Sequence, residues 1–387
     1  MLLGGKTVFP ITLGNGPPLT GKDPVSGGNG WAEVAAAGVR MLRVYPTWDA
    51  TAVAQQIQTA KEEMVAAASY GLHLWVGLYN VADDVSRQGL LEQIVGGLKD
   101  APGLGAWKGA DEPLHGNLAP AGLVAAYDVV HQLDPSHPLV IIQAPQARNG
   151  PLTAALLKPY AAAGDIQGVD IYPISHPPGV HAGRPNKDIS VVGDVTALVV
   201  QAAPGKEHWT TLQIAWSGVL PPAHVPIFPN LQQERFMAYQ AIVAGAGGLV
   251  FFGGDIIQAM TPADAASGWN WTFWHTVLKQ VVQELSSTAV GPALVAPPAA
   301  ITVTSDAADV RLVARAAGGF LYVICVRRSP TAHGPVRFSG LPAGIKYGQA
   351  LFEYDGPNFR TITLSGGAFT DPFAPHDARV YRFPLQD

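Results

Sequence analysis

The chain holds one cysteine, Cys325, among 387 residues, so no internal disulfide can form. That fits a reducing compartment, although disulfide-free secreted enzymes share the property. The start, Met1-Leu2-Leu3-Gly4-Gly5-Lys6, does not read as a signal peptide. The expected location is secreted or periplasmic where a leader has been trimmed, and cytoplasmic otherwise. Charge is scarce too. Asp, Glu, Lys and Arg make up 14% of the residues, against roughly 25% in an average globular protein. The 24 basic and 29 acidic residues leave a net charge of −5 and form no basic run, which excludes a nucleic-acid footprint. No unbroken apolar stretch reaches about 18 residues, so nothing reads as a membrane span. None of the 11 histidines forms H-x-H or H-x-x-x-H spacing, so neither a catalytic zinc nor any other cofactor is expected.

What is abundant is apolar residues (48%), glycine (43) and proline (33). This composition excludes a largely disordered chain and suits many elements joined by many turns. At this length two domains are expected. Short β-branched and aromatic runs alternate with segments of helical period, the pattern of repeated βα units around a parallel sheet. The expected strands are 8–13, 39–45, 72–79, 105–110, 139–144, 166–171, 209–216 and 249–252. Asp49 is the expected N-cap of the helix after the second strand, and Gly71 its stop. A doubly wound sheet would want a phosphate-binding glycine fingerprint in its first loop. The prolines in Gly14-Asn15-Gly16-Pro17-Pro18 remove the donors such a loop needs. The fold class expected is therefore α/β, a (β/α)₈ TIM barrel over residues 1–297. Beyond Pro297-Pro298 the period turns to alternation, with a hairpin around Ala316-Ala317-Gly318-Gly319. Residues 298–387 are expected to form a C-terminal antiparallel β-sandwich with a supporting role, in which Cys325 is a core residue.

In a TIM barrel the chemistry sits where strands end and βα loops begin. The reactive side chains expected there are Tyr45 and Trp48, Tyr79, Asp111 and Glu112, Gln143, Asp170 and Tyr172, Gln213 and Trp216, and Asp255. Carboxylates supply acid and base, and aromatic faces stack on sugar rings. The combination suits cleavage of glycosidic bonds. His115 and His176 read as solvated loop residues, and Trp75 as packing.

The order of motifs resembles clan A glycoside hydrolases. Trp107-Lys108-Gly109-Ala110-Asp111-Glu112-Pro113 is similar to their strand-4 signature, commonly Asn-Glu-Pro, in which the Glu is the general acid/base. Leu133 to Pro138, Val169-Asp170-Ile171-Tyr172-Pro173 and Ala241 to Phe252 resemble the family's approach to strand 5, its strand 6 and its approach to strand 8. The resemblance implies Glu112 as acid/base and Asp111 beside the sugar hydroxyl next to the scissile bond. It also implies a Glu nucleophile ending strand 7, where this chain has Gln213. An amide cannot form the glycosyl ester. Asp170 is then the first candidate for second catalytic group. Gln213, Tyr172, Tyr45, Trp48 and Trp216 would position the sugar, with Asp255 as a further contact. Two other readings stay open: a non-catalytic carbohydrate-binding barrel, and a barrel hydrolase acting on a non-sugar substrate. The expected partner is a carbohydrate substrate, and the default assembly is a monomer.

Overall fold

The computed structural model describes residues 1–78, 80–83, 85–175, 186–215, 227–254 and 259–385. Eight parallel strands close into a barrel. They are β1 (Ile11–Leu13), β2 (Met41–Val44), β3 (His73–Gly77), β4 (Leu104–Asp111), β5 (Leu139–Gln143), β6 (Ile166–Asp170), β7 (Glu207–Gln213) and β8 (Gly248–Phe252). Each pairs in parallel with the next, and β8 returns to β1. Burial on both faces explains why these segments read as near-continuous apolar runs.

Alternation along each strand divides the side chains between two cores. Met41, Trp75, Ala106, Val140, Ile166, Trp209 and Val250 fill the barrel interior. Trp75 and Trp209 meet edge to face there, with ring centroids 5.6 Å apart. An N-terminal hairpin, Leu2–Leu3 with Lys6–Thr7, adds Leu3 to this interior plug. The other side chains face the surrounding helices, α1 (Gly30–Ala37), α2 (Val53–Ser69), α3 (Gln88–Leu98), α4 (Pro120–Leu133), α5 (Val191–Ala202), α6 (Leu231–Val243) and α7 (Lys279–Ser286).

Asp49 does not cap α2. The cap position is Ala52, and the Asp49 carboxylate instead accepts from the Thr51 amide and hydroxyl, each at 2.7 Å, closing a turn before the helix. Gly71 does end it. It sits in the left-handed region (φ +73°), and its amide donates to Ala68.

The C-terminal region is a two-layer antiparallel sandwich. Its strands are β9 (Thr304–Ser305), β10 (Val310–Ala317), β11 (Phe320–Arg327), β12 (Gly334–Ser339), β13 (Tyr347–Asp355), β14 (Asn358–Thr363), β15 (Ala368–Phe373) and β16 (Ala378–Pro384). One sheet runs β9-β12-β15, the other β10-β11-β16-β13-β14. Alternation in β11 shows how the sandwich meets the barrel. Leu321, Val323 and Cys325 enter the core between the two sheets, whereas Tyr322, Ile324 and Val326 enter the core shared with the barrel. Helix α6 lies in that seam, which is why its residues from Phe236 to Ile242 are all buried. Among the described residues no helix is long and apolar enough to cross a membrane.

Candidate active site

Strand β4 sets the site. Ala106 faces the barrel interior, and Lys108, two residues on, shares its face. The β4–β5 register then breaks between Lys108 and Asp111. The Lys108 ammonium is completely buried inside this irregularity. It donates to the carbonyls of Ala110 (3.0 Å) and Gly109 (3.3 Å) and pairs with Asp111 Oδ1 at 2.8 Å. Glu112 follows with φ +45°, a region that costs a non-glycine residue on the order of 1–3 kcal/mol. Backbone hydrogen bonds hold it there: its amide donates to Ile142, and its carbonyl accepts from Gly116.

A cavity of about 510 Å³ opens at this end of the barrel. Tyr45, Asp111, Glu112, Asp170 and Tyr172 all line it, so five of the residues expected from sequence converge. Asn15, Arg43, Ile142, Thr211 and Phe252 complete the wall. The Arg43 guanidinium lies 4.0 Å from the Tyr45 ring centroid and 5.0 Å from that of Phe252, and its Nε donates to the Gly14 carbonyl. Tyr172 stacks on Phe252 with centroids 5.7 Å apart.

The carboxyls of the cleft are not equivalent. Asp170 is 7% exposed, and its Oδ1 is buried with no hydrogen-bond partner. Burial, then the charge and hydrogen bond of Glu112, then the charge of Asp111, push its acid well above the ordinary range, against the hydrogen bond from Tyr172. Asp111 moves the other way. Burial opposes its ionisation, but the Lys108 charge and hydrogen bond, helped by Arg43, hold it below the usual value. Burial likewise lowers Lys108 and raises Tyr172. The two carboxyls of the same cleft are therefore shifted in opposite directions.

Two expected contacts do not belong here. Trp48 is 1% exposed and its indole N–H donates to Gly77 at 2.7 Å, so it has no free face for a sugar. Gln213 is wholly buried. Its Oε1 accepts from the Ile174 amide (2.8 Å) and its Nε2 donates to the Ile174 carbonyl (2.6 Å), which consumes its polar edge on the loop behind Tyr172. Gln143 is buried too; its Oε1 accepts from the Leu114 amide behind Glu112, while its Nε2 has no hydrogen-bond partner. Tyr79, Trp216, Asp255 and His176 lie outside the described residues.

Sequence reasoning missed Asn15, Arg43, Thr211 and Phe252 as cleft residues. Strand-end position was the available signal, since Asn15 follows β1 and Phe252 ends β8. One group of metal-ligand types occurs among the described residues, Asp23, Glu33 and His275, away from the cleft. Its atoms are committed internally. His275 Nε2 is 2.7 Å from Asp23 Oδ1, and Lys279 pairs with Glu33 at 2.6 Å.

No protein-family model matches the chain, and no curated protein matches it either. Solved structures do. A glycoside hydrolase family 5 protein from Bacteroides vulgatus aligns with TM-score 0.63 at 14% identity, covering 98% of this chain and 90% of that one. A protein described as a glycoside hydrolase aligns with TM-score 0.62 at 13% identity, covering 99% and 94%. A GH30 endoxylanase from Clostridium papyrosolvens gives TM-score 0.55 at 11% identity, covering 98% and 97%. Barrel and C-terminal sheets are both within these alignments, and the chain has the fold of the clan A-type glycoside-hydrolase TIM barrels.

Proposed function

We propose that the cleft hydrolyses glycosidic bonds of an oligo- or polysaccharide, with Asp170 and Glu112 as the working pair. The observation that carries this reading is a buried carboxyl, Asp170, in contact with a partly exposed one, Glu112, at the barrel mouth, flanked by aromatic rings. Burial assigns the roles. Asp170 is the more deeply buried of the two, and burial beside Glu112 raises its acid above the ordinary range, which suits a proton donor. Asp170 is then the general acid that protonates the leaving oxygen. Glu112 acts on the anomeric carbon once bound substrate parts the two carboxyls, directly at a separation of roughly 5–5.5 Å or through a water at roughly 6.5–9.5 Å. This reverses the assignment that the strand-4 resemblance implies for Glu112. Asp111, kept ionised by Lys108, adds negative potential beside the positive charge that develops on the sugar ring. Tyr45, Tyr172 and Phe252 supply the apolar surface for the ring faces. Gln213 bonds the Ile174 backbone through both amide atoms, so this reading gives it no part in the chemistry.

The test is a leaving-group comparison. A reducing-sugar panel of polysaccharides finds the substrate class. Aryl glycosides of that class are then given to wild type, Glu112→Gln and Asp170→Asn. Glu112→Gln should lose activity by about 10²–10⁴ or more on every aglycone. Asp170→Asn should lose it on alkyl and phenyl glycosides but keep most of it on dinitrophenyl glycosides, whose departure needs no proton. Full activity of Glu112→Gln on a confirmed substrate would sink the proposal.

A further inference from the structure

A second cavity, of about 610 Å³, lies in the seam between barrel and sandwich. Its barrel wall carries Gln280 and Gln283 from α7, and its sandwich wall carries Phe352, Glu353, Tyr354 and Arg379. The backbone of β13 is shaped to make this wall. Its register with β14 breaks between Ala350 and Tyr354, and Phe352 adopts φ +64°. A bulky residue in that region is an outlier that only surrounding structure can enforce. Phe352 packs against the core shared with the barrel, and Tyr354 emerges 67% exposed. Phe359 backs the Tyr354 ring at 5.3 Å between centroids. Tyr347 on the same strand is exposed as well, at 64%, but it does not line the cavity, and the sandwich's core aromatics are of another kind. Phe338, Phe369, Phe373, Tyr381 and Phe383 are all buried in its core.

The polar lining decides what such a platform would hold. Its charges already cancel in pairs. Arg379 bonds both Glu353 and Asp377, and Arg235 bonds Glu284 at 2.8 Å. A charged ligand would have to break a partly buried ion pair, which is costly. A neutral polyhydroxyl ligand would not, because hydroxyls can accept from guanidinium edges and donate to free carboxylate lone pairs while the pairs stay intact. An exposed, backed aromatic ring takes the apolar C–H face of a sugar. We propose that this seam is a second carbohydrate-binding site, with Tyr354 as its stacking platform, which holds a neutral polysaccharide away from the cleft. The inference rests on the carbohydrate reading of the cleft for its ligand class.

The experiment is affinity electrophoresis of the full chain through gels containing soluble xylan, starch or mixed-linkage β-glucan, in the Glu112→Gln background so that the polymer survives. The parent should be retarded by at least one polymer. Adding Tyr354→Ala should weaken retention about tenfold, equivalent to about 1.4 kcal/mol. Tyr354→Phe should retain it. Tyr354→Ala alone should leave aryl glycoside turnover unchanged, because the seam shares no residue with the cleft. Equal retention of the parent and Tyr354→Ala overturns the proposal, as does absence of retention in every polymer. Failure of the catalytic reading registers separately, as aryl glycoside turnover that survives Glu112→Gln.

Discussion

Lys108 Nζ lies 2.8 Å from Asp111 Oδ1, yet the two partners face different media: the Lys108 side chain is 0% exposed, the Asp111 side chain 51%. The pair is therefore asymmetric in what each loss would cost. Asp111→Asn leaves a buried ammonium with neutral oxygen acceptors and no balancing anion. It should destabilise the fold by about 3 kcal/mol. Lys108→Met leaves a carboxylate that water can solvate, and should cost about 1 kcal/mol. Urea denaturation at neutral pH compares them, and a larger loss for Lys108→Met would refute the account.

The same neighbourhood sets the pH profile. In the proposed role of proton donor Asp170 works only while protonated, and burial beside Glu112 raises its acid above the ordinary range. Activity should therefore persist above pH 4 and fall as pH rises through that raised value. Wild type should show this basic limb in kcat/KM on phenyl glycosides and lack it on dinitrophenyl glycosides, whose departure needs no proton. A limb that stays in place would assign it to another group.

The strands were legible because a two-sided buried strand leaves a continuous apolar run, and all eight were placed within a few residues. The convergence of Asp111, Glu112 and Asp170 was legible too, because strand ends of a barrel share one face. Side-chain direction was not. Trp48 and Gln213 stand at strand ends like the cleft residues, but one bonds to Gly77 and the other to Ile174. That choice depends on loop backbone geometry, which residue type does not specify. The Glu112 turn was hidden for a related reason. Its positive φ is enforced by Lys108, Ile142 and Gly116 rather than by a glycine. The strands Gly334–Ser339 and Ala368–Phe373 are hard to read from sequence because each holds a proline, Pro335 and Pro372, that interrupts the strand pattern.

Gln213→Glu is the direct trial of the strand-7 question. The substitution exchanges the Nε2 donor for an acceptor that faces the Ile174 carbonyl, with no access to water. It should destabilise the protein by about 2–4 kcal/mol and create no new nucleophile. A gain of glycosidase rate would show that the side chain reaches the cleft after all.

Trp48→Phe separates packing from binding. The lost indole N–H leaves the Gly77 carbonyl unpaired, which should cost about 1–3 kcal/mol in stability. KM on a confirmed substrate should change little, since the ring has no surface in the cleft. A rise in KM without a change in thermal midpoint would return Trp48 to the sugar.

Glu234 on α6 is 0% exposed, and both of its carboxyl oxygens lack a hydrogen-bond partner. Desolvation alone raises its acid well above the ordinary carboxyl range. The unfolded chain then ionises at a lower pH than the folded one, and between the two values the folded state binds more protons. Stability from this group is present below pH 4.5 and is lost as pH rises through the folded value. Glu234→Met fills the same volume without titrating. It should be more stable than wild type at pH 8, and the advantage should shrink towards pH 4. Urea midpoints of the two proteins across that range measure the difference directly, which cancels the opposite slope contributed by low-pKa carboxyls such as Asp23 and Asp111. A constant difference across the range would mean that Glu234 does not change its charge state on folding.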